Sequence, residues 1–169
     1  MTPQEIANIL EARFGAKITA SHPQGKHPRV HTTAEHWHDI APFFRHDPAL
    51  KFNWLACLSG VDYVADNAFC VVYDLWSFEL KHTFAVKVFG PRHEGAKFRS
   101  VEDLWPTANW HEREAFEMFG MVFEHHPDLR RLLLADDWVG YPLRKDYVFP
   151  TSYHGIPGSV ELDWQQKPD

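Results

Sequence analysis

The stretch NWHEREAFEMFG, residues 109–120, gathers five ionisable side chains into twelve residues and stops at a glycine. Three chemistries can use such a cluster. His111, Glu112 and Glu114 are residue types of general acid–base catalysis, but that work needs a pocket and a reactive partner, and the sequence supplies neither. Metal binding has to be weighed because the chain holds twelve histidines. The tightest groupings, His36-Trp37-His38 and His125-His126, form neither an H-E-x-x-H helix nor a Cys/His knuckle, and scattered surface histidines are the simpler reading. The third use is a surface gripped by another protein. On a helix, positions 112, 115, 116 and 119 share a face, which sets Glu112 beside Ala115, Phe116 and Phe119. Arg113 faces Glu117 at i,i+4 in the less favourable order, worth about 0.2–0.5 kcal/mol when exposed. The helix therefore reads as amphipathic with a charged outer face, which is either solvated or met by a partner.

A second polar tract follows. His126-Pro127-Asp128-Leu129-Arg130-Arg131 runs into an apolar triplet, and Pro142-Leu143-Arg144-Lys145-Asp146 comes shortly after. Guanidinium groups make planar bidentate pairs with carboxylates and are weakly hydrated, so Arg suits a buried or interfacial pair. Two readings stay open: the charges pin this segment onto its own domain, or they meet another chain.

The elements that must position these residues follow from pattern. Thr2-Pro3-Gln4-Glu5 is a capping box with proline at the first helical position, and Ile6, Ile9, Leu10 and Phe14 make an inward stripe ended by Gly15. KITAS and RVHT read as strands around a turn-rich connection. Thr33 is placed to cap a second helix with Trp37, Ile40 and Phe44 inward, which Pro42 is expected to kink or shorten. FNWLACLSGVDY, FCVVYDLWSF and HTFAVKVFG are three strand-like runs, with Asp66-Asn67 and the short Glu79-Leu80-Lys81 as turns. Ser100-Val101-Glu102-Asp103 reads as the start of a short helix ending near Trp105-Pro106, and Asn109 with Glu112 as the cap of the helix ending at Gly120. The expected fold is α+β: a mainly antiparallel sheet with helices packed on one face, plus an extended irregular C-terminal tail. The expected division is residues 1–123 as the α+β domain and 124–169 as a C-terminal segment. That segment, with Trp138, Tyr141, Tyr147, Phe149, Tyr153 and Trp164 but no sustained period, is expected to complete its burial against something else.

Composition narrows the function classes. At 169 residues one domain is the default, and 44% apolar with 15% aromatic content is ample for a core. A net charge of −6 without any Lys/Arg run argues against nucleic acid. No apolar run approaches the roughly 18 residues a membrane span needs, and the N-terminus reads as a helix start rather than a secretion signal or a transit-like leader. The two cysteines, Cys57 and Cys70, read as small buried hydrophobes and leave no set of thiolates for an iron–sulfur cluster. The nine glycines make no dinucleotide or P-loop pattern.

These residues resemble a known family. Asp103-Leu104-Trp105-Pro106, Asn109 to Glu114, Glu117-Met118-Phe119-Gly120, His126 to Arg131, Asp137-Trp138, Gly140 and Pro142 to Tyr147 stand in the order and spacing of the 30-kilodalton (30 kDa) subunit of respiratory complex I, the proton-pumping NADH:quinone oxidoreductase. Leu58-Ser59-Gly60-Val61-Asp62-Tyr63 adds a looser match, and Glu117 stands where members usually carry Asp, which keeps the charge. The resemblance implies a non-catalytic assembly subunit of the peripheral arm. It implies that FMN and the iron–sulfur clusters belong to partner subunits, and that the C-terminal segment lies along the 49-kilodalton (49 kDa) subunit. It further implies an indirect hold on a bacterial inner membrane, on the cytoplasmic side. Glu112, Arg113, Glu114, Glu117, His126, Pro127, Arg130, Arg131, Pro142, Arg144, Lys145 and Asp146 become its motif and interface residues. On that picture, replacing Arg144 by Ala is expected to weaken assembly more than the isolated domain. Two alternatives remain: a homologous component of a membrane-bound hydrogenase or ferredoxin-driven complex, and a free-standing His-rich metal enzyme.

Overall fold

The computed structural model describes residues 1–157; residues 158–169, Trp164 and the end of the expected C-terminal segment among them, lie outside the described residues. Helix α1, Pro3–Phe14, starts on its capping box: the Glu5 amide donates to Thr2 Oγ1 at 3.3 Å and the Thr2 amide to the Glu5 carboxylate at 2.8 Å. It buries Ile6, Ala7 and Leu10. Strands β1 (Ala20–His22) and β2 (Arg29–Thr33) follow, then α2 (Ala34–His46) with Trp37, Ile40, Ala41 and Phe44 inward. Pro42 does not shorten α2, which runs on to His46, and Thr33 stands at its N-cap without a side-chain bond to the helix. Burial of apolar residues on both sides of the proline outweighs the one backbone bond it removes.

Three ten-residue strands form the centre: β3 (Trp54–Tyr63), β4 (Ala68–Ser77) and β5 (His82–Pro91). The sheet order is β1-β2-β5-β4-β3, antiparallel except where β2 runs parallel to β5. Asn67 and Lys81 turn the two hairpins at positive φ. Alternate side chains, Phe69, Val71, Tyr73 and Leu75 of β4 with Phe84, Val86 and Val88 of β5, join the helices in one buried cluster. Trp37 of α2 packs 4.6 Å from Tyr73 between ring centres, so the helices cover one face of the sheet. The fold is α+β, as the patterning implies.

Three local expectations change. The stretch after Ser100 is a turn, closed by the Trp105 amide on Val101 O at 2.8 Å, instead of a short helix. Before it runs β6 (Lys97–Arg99), which pairs in parallel with β7 (Val122–Glu124) beyond α3, a short ladder absent from the expected elements. Helix α3 covers Ala108–Phe119 with Thr107 at its N-cap, so Asn109 does not cap it, and Glu112 is employed elsewhere. Gly120 ends α3 in the left-handed region at φ 74°, and a Cβ there would meet the Arg144 guanidinium at 2.6 Å; glycine is needed for both reasons. Cys70 is buried, Cys57 only half-buried, and both are free thiols. Beyond β7 the described chain is irregular apart from the two-residue strands β8 (Ser152–Tyr153) and β9 (Ile156–Pro157). Among the described residues, no helix is long and apolar enough to cross a membrane.

Candidate functional site: the α3 clamp and the C-terminal strap

The charged face expected on the outside of α3 is largely inside. Glu112, Arg113 and Glu117 are buried, and the i,i+4 pair between Arg113 and Glu117 gives way to separate tasks. Arg113 donates from Nε to Arg130 O and from Nη2 to Arg131 O, both at 3.1 Å. One turn on, the Glu117 carboxylate accepts from three successive amides, those of Leu132, Leu133 and Leu134, at 2.9–3.0 Å. Side chains at i and i+4 thus grip neighbouring parts of one passing segment, with a guanidinium on its carbonyls and a carboxylate on its amides. An irregular segment has backbone groups free to be held in this way.

Glu112 works on the opposite side. Its oxygens accept from Ser100 Oγ at 2.6 Å and from the Val101 amide at 2.8 Å, which ties the turn before α3 to the helix. Burial pushes its carboxyl up to about 7, over the opposing pull of these two bonds. The fully buried ring of His126 lies 4.0 Å from that carboxylate. His126 Nδ1 accepts from the Asp128 amide at 3.0 Å, which leaves Nε2–H to donate to Asn109 O at 3.1 Å. Both groups are sealed from solvent and hold backbone.

Further along, the strap is fixed to the sheet. Arg92 forms a bidentate pair with Asp62 at 2.6 and 2.9 Å and reaches Asp146 at 2.8 Å, while the Lys145 amide donates to Asp62 at 2.9 Å. The Arg92 guanidinium holds the Asp62 carboxyl below the usual carboxylate range. Arg144 donates from Nε to Phe119 O at 2.7 Å and lies 4.2 Å from the Tyr141 ring centre and 5.2 Å from that of Phe69. Arg131 turns back on Ala135 O at 2.7 Å.

The sequence-derived site thus divides. Arg113 and Glu117 grip the strap, Glu112 holds the turn before α3 with His126 beside it, and Arg131, Arg144 and Asp146 anchor the strap further on. Pro142 is half-buried beside them. Glu114, Pro127, Arg130 and Lys145 face outward, Arg130 in an exposed 2.8 Å pair with Asp128 that adds little to stability. Glu112, Arg113 and Glu117 are buried, and the bonds they make run within this chain. Arg92 and Ser100 are central yet lie outside the family motifs; each directly follows a strand, and only the fold shows its partner. Among the described residues, no group of three or more His, Cys, Asp and Glu side chains is arranged to hold a metal ion.

The geometry defines a class: a helix-backed α+β sheet domain whose C-terminal segment is strapped down by charged side chains of its last helix. Residues 30–153 match the family described as the respiratory-chain NADH dehydrogenase 30 Kd subunit. The chain is 47% identical over 151 residues to the C subunit of NADH-quinone oxidoreductase from Chlorobium phaeobacteroides, covering 88% of this chain and 90% of that one. It is 48% identical over 145 residues to the corresponding C subunit from Roseiflexus castenholzii, covering 85% and 82%. Among solved structures, a chain of the archaeal membrane-bound sulfane sulfur reductase, a respiratory membrane complex, shares the fold at TM-score 0.74 and 20% identity, over 98% of this chain and 92% of that one. This chain belongs to the 30 kDa subunit family of respiratory-chain NADH dehydrogenase.

Proposed function

We propose that this chain is a non-catalytic assembly subunit in the peripheral arm of a proton-translocating NADH:quinone oxidoreductase, with its C-terminal segment docked on the 49-kilodalton subunit. Electrons pass from NADH through FMN and iron–sulfur clusters of partner subunits, and the chain holds to the cytoplasmic side of a bacterial inner membrane through them. One observation supports this reading most. The strap is held by its backbone at residues 130–134, 143 and 145, yet its described part exposes Leu133, Val139, Val148 and Phe149 at 66%, 83%, 85% and 62%. A segment held in place that exposes several large apolar side chains supports a docking role.

The test is purification of the tagged full chain from native membranes in mild detergent, with mass spectrometry and an NADH-to-quinone assay. A large flavin- and cluster-containing assembly with that activity is the expected result, and recovery of the chain alone overturns the reading. The fold shared with a sulfane sulfur reductase chain favours a second reading, a component of a related respiratory complex with another electron donor or acceptor. Co-purification of a hydrogenase or sulfur-reducing large subunit without NADH oxidation would select it.

A further inference from the structure

β3 is the outer strand of the five-stranded sheet, bonded to β4 on one side. Along an outer strand every second residue turns its N–H and C=O away from the ladder. From Ala56 to Asp62, among the described residues, no such backbone group of β3 has a partner on that side; the nearest bond is Thr107 Oγ1 to Leu55 O at 3.3 Å. Beyond the bulge between Leu55 and Cys57, this run of edge, without proline or lysine, is an open template for another strand.

The same edge forms one wall of a slot. Leu58, Ser59 and Gly60 face His111, Glu114, Ala115 and Phe119 of α3 across a cavity of about 190 Å³, which Leu143 of the strap also lines. Gly60 lets the walls approach, since a Cβ there would meet the Phe119 ring at 2.7 Å. The lining is mixed, with Leu58, Ala115, Phe119 and Leu143 beside Ser59 and His111, and the exposed Glu114 carboxylate has no bond among the described residues. His111 and Glu114 are the two ionisable groups of the 109–120 stretch that neither the clamp nor the turn employs. A strand edge beside a helix, with a slot between them, is the geometry in which an extended peptide adds to a sheet and sends alternate side chains into the slot.

We infer that the slot between β3 and α3 receives an extended segment of a partner subunit, paired to β3 from Ala56 to Asp62 and carrying a Lys or Arg to Glu114. Leu58, Ala115, Phe119 and Leu143 offer an inward aliphatic side chain its contacts, and the Glu114 carboxylate, without a bond among the described residues, selects the cation. This deepens the assembly reading, on which it rests, by adding a second docking surface separate from the exposed apolar side chains of the strap.

The experiment places a photo-crosslinking phenylalanine analogue at Ala56, at Ser59 or, as reference, at Val148 in the full chain, expressed in place of the native one, followed by purification of the assembly and peptide mapping. The expected result is that Ala56 and Ser59 cross-link to successive positions of one short segment of a co-purifying protein, with a Lys or Arg within it. Cross-links from Val148 alone overturn the inference and leave the assembly reading standing, whereas no cross-link from any position overturns both. Cross-links to residues 158–169 of this chain, or to a second copy, overturn it in favour of those occupants. A paired readout uses Glu114→Lys, whose side chain has no bond to lose among the described residues. The expected outcome is a roughly tenfold drop in retained partner with the melting temperature of the isolated chain unchanged. Full retention with Glu114→Lys overturns the role of the carboxylate.

Discussion

At the scale of single residues, the most consequential group is the Glu112 carboxyl, raised to about 7 by burial while an unfolded chain titrates it near 4.5. The folded state therefore binds this proton more tightly than the unfolded one. Its contribution is fully present below the unfolded value and is lost as pH rises through about 7. From pH 4.5 to 8 the native chain is expected to lose on the order of 3 kcal/mol relative to Glu112→Gln, read by urea unfolding of both proteins across that range. Parallel pH profiles would show that Glu112 stays ionised in the fold. Arg144 is a different case. Its bond to Phe119 O and its stacking on Tyr141 and Phe69 lie within the chain, so Arg144→Ala is expected to destabilise the isolated protein by roughly 1–3 kcal/mol. That replaces the expectation of a loss felt mainly in assembly, and an unchanged unfolding midpoint for the lone chain would restore it. The charges of 109–120 were legible in the sequence as special. Their direction was not, because i,i+4 spacing gives a face of the helix and says nothing of what covers that face.

At the scale of elements, α3 is a clamp because two of its charged residues meet unpaired backbone instead of each other. Glu117 takes three amides that no strand or helix satisfies, so Glu117→Ala leaves them without an acceptor. The expected cost is about 1–3 kcal/mol, with faster hydrogen exchange confined to Leu132, Leu133 and Leu134. Exchange at those amides equal to the native rate would show that the strap is held by its apolar contacts alone. The helices and long strands were readable from periodicity, because each carries a face that can be buried in only one way. The missed β6–β7 ladder is three residues on each side, too short to show a period, and its pairing joins residues far apart in the chain. The expected helix at Ser100 failed for a related reason. Glu112, eleven residues on, takes the Val101 amide and sets a turn there.

At the scale of the whole molecule, the division at residue 123 separates two segments that share one set of bonds. Removing everything after Glu124 strips the partners from Arg113 and Glu117, lifts Arg144 from Phe69 and uncovers Phe119. The truncated chain is expected to unfold with at least about 2 kcal/mol less stability than the full chain and to bind a hydrophobic dye. An unchanged denaturation midpoint would mark residues 1–124 as a domain complete without the strap. The amino-acid sequence by itself determined the α+β class, the inward stripes of α1 and α2, the hairpins and the family motifs, since all of these rest on local spacing and on turn residues that fix their own backbone. Only the tertiary structure decided that Glu112, Arg113 and Glu117 point inward, that Arg92 joins Asp62 to Asp146, and that, among the described residues, β3 has an unpaired edge beside Glu114. Those outcomes depend on which distant backbone groups remain unpaired once the sheet has formed, and that balance exists only when the whole chain is folded.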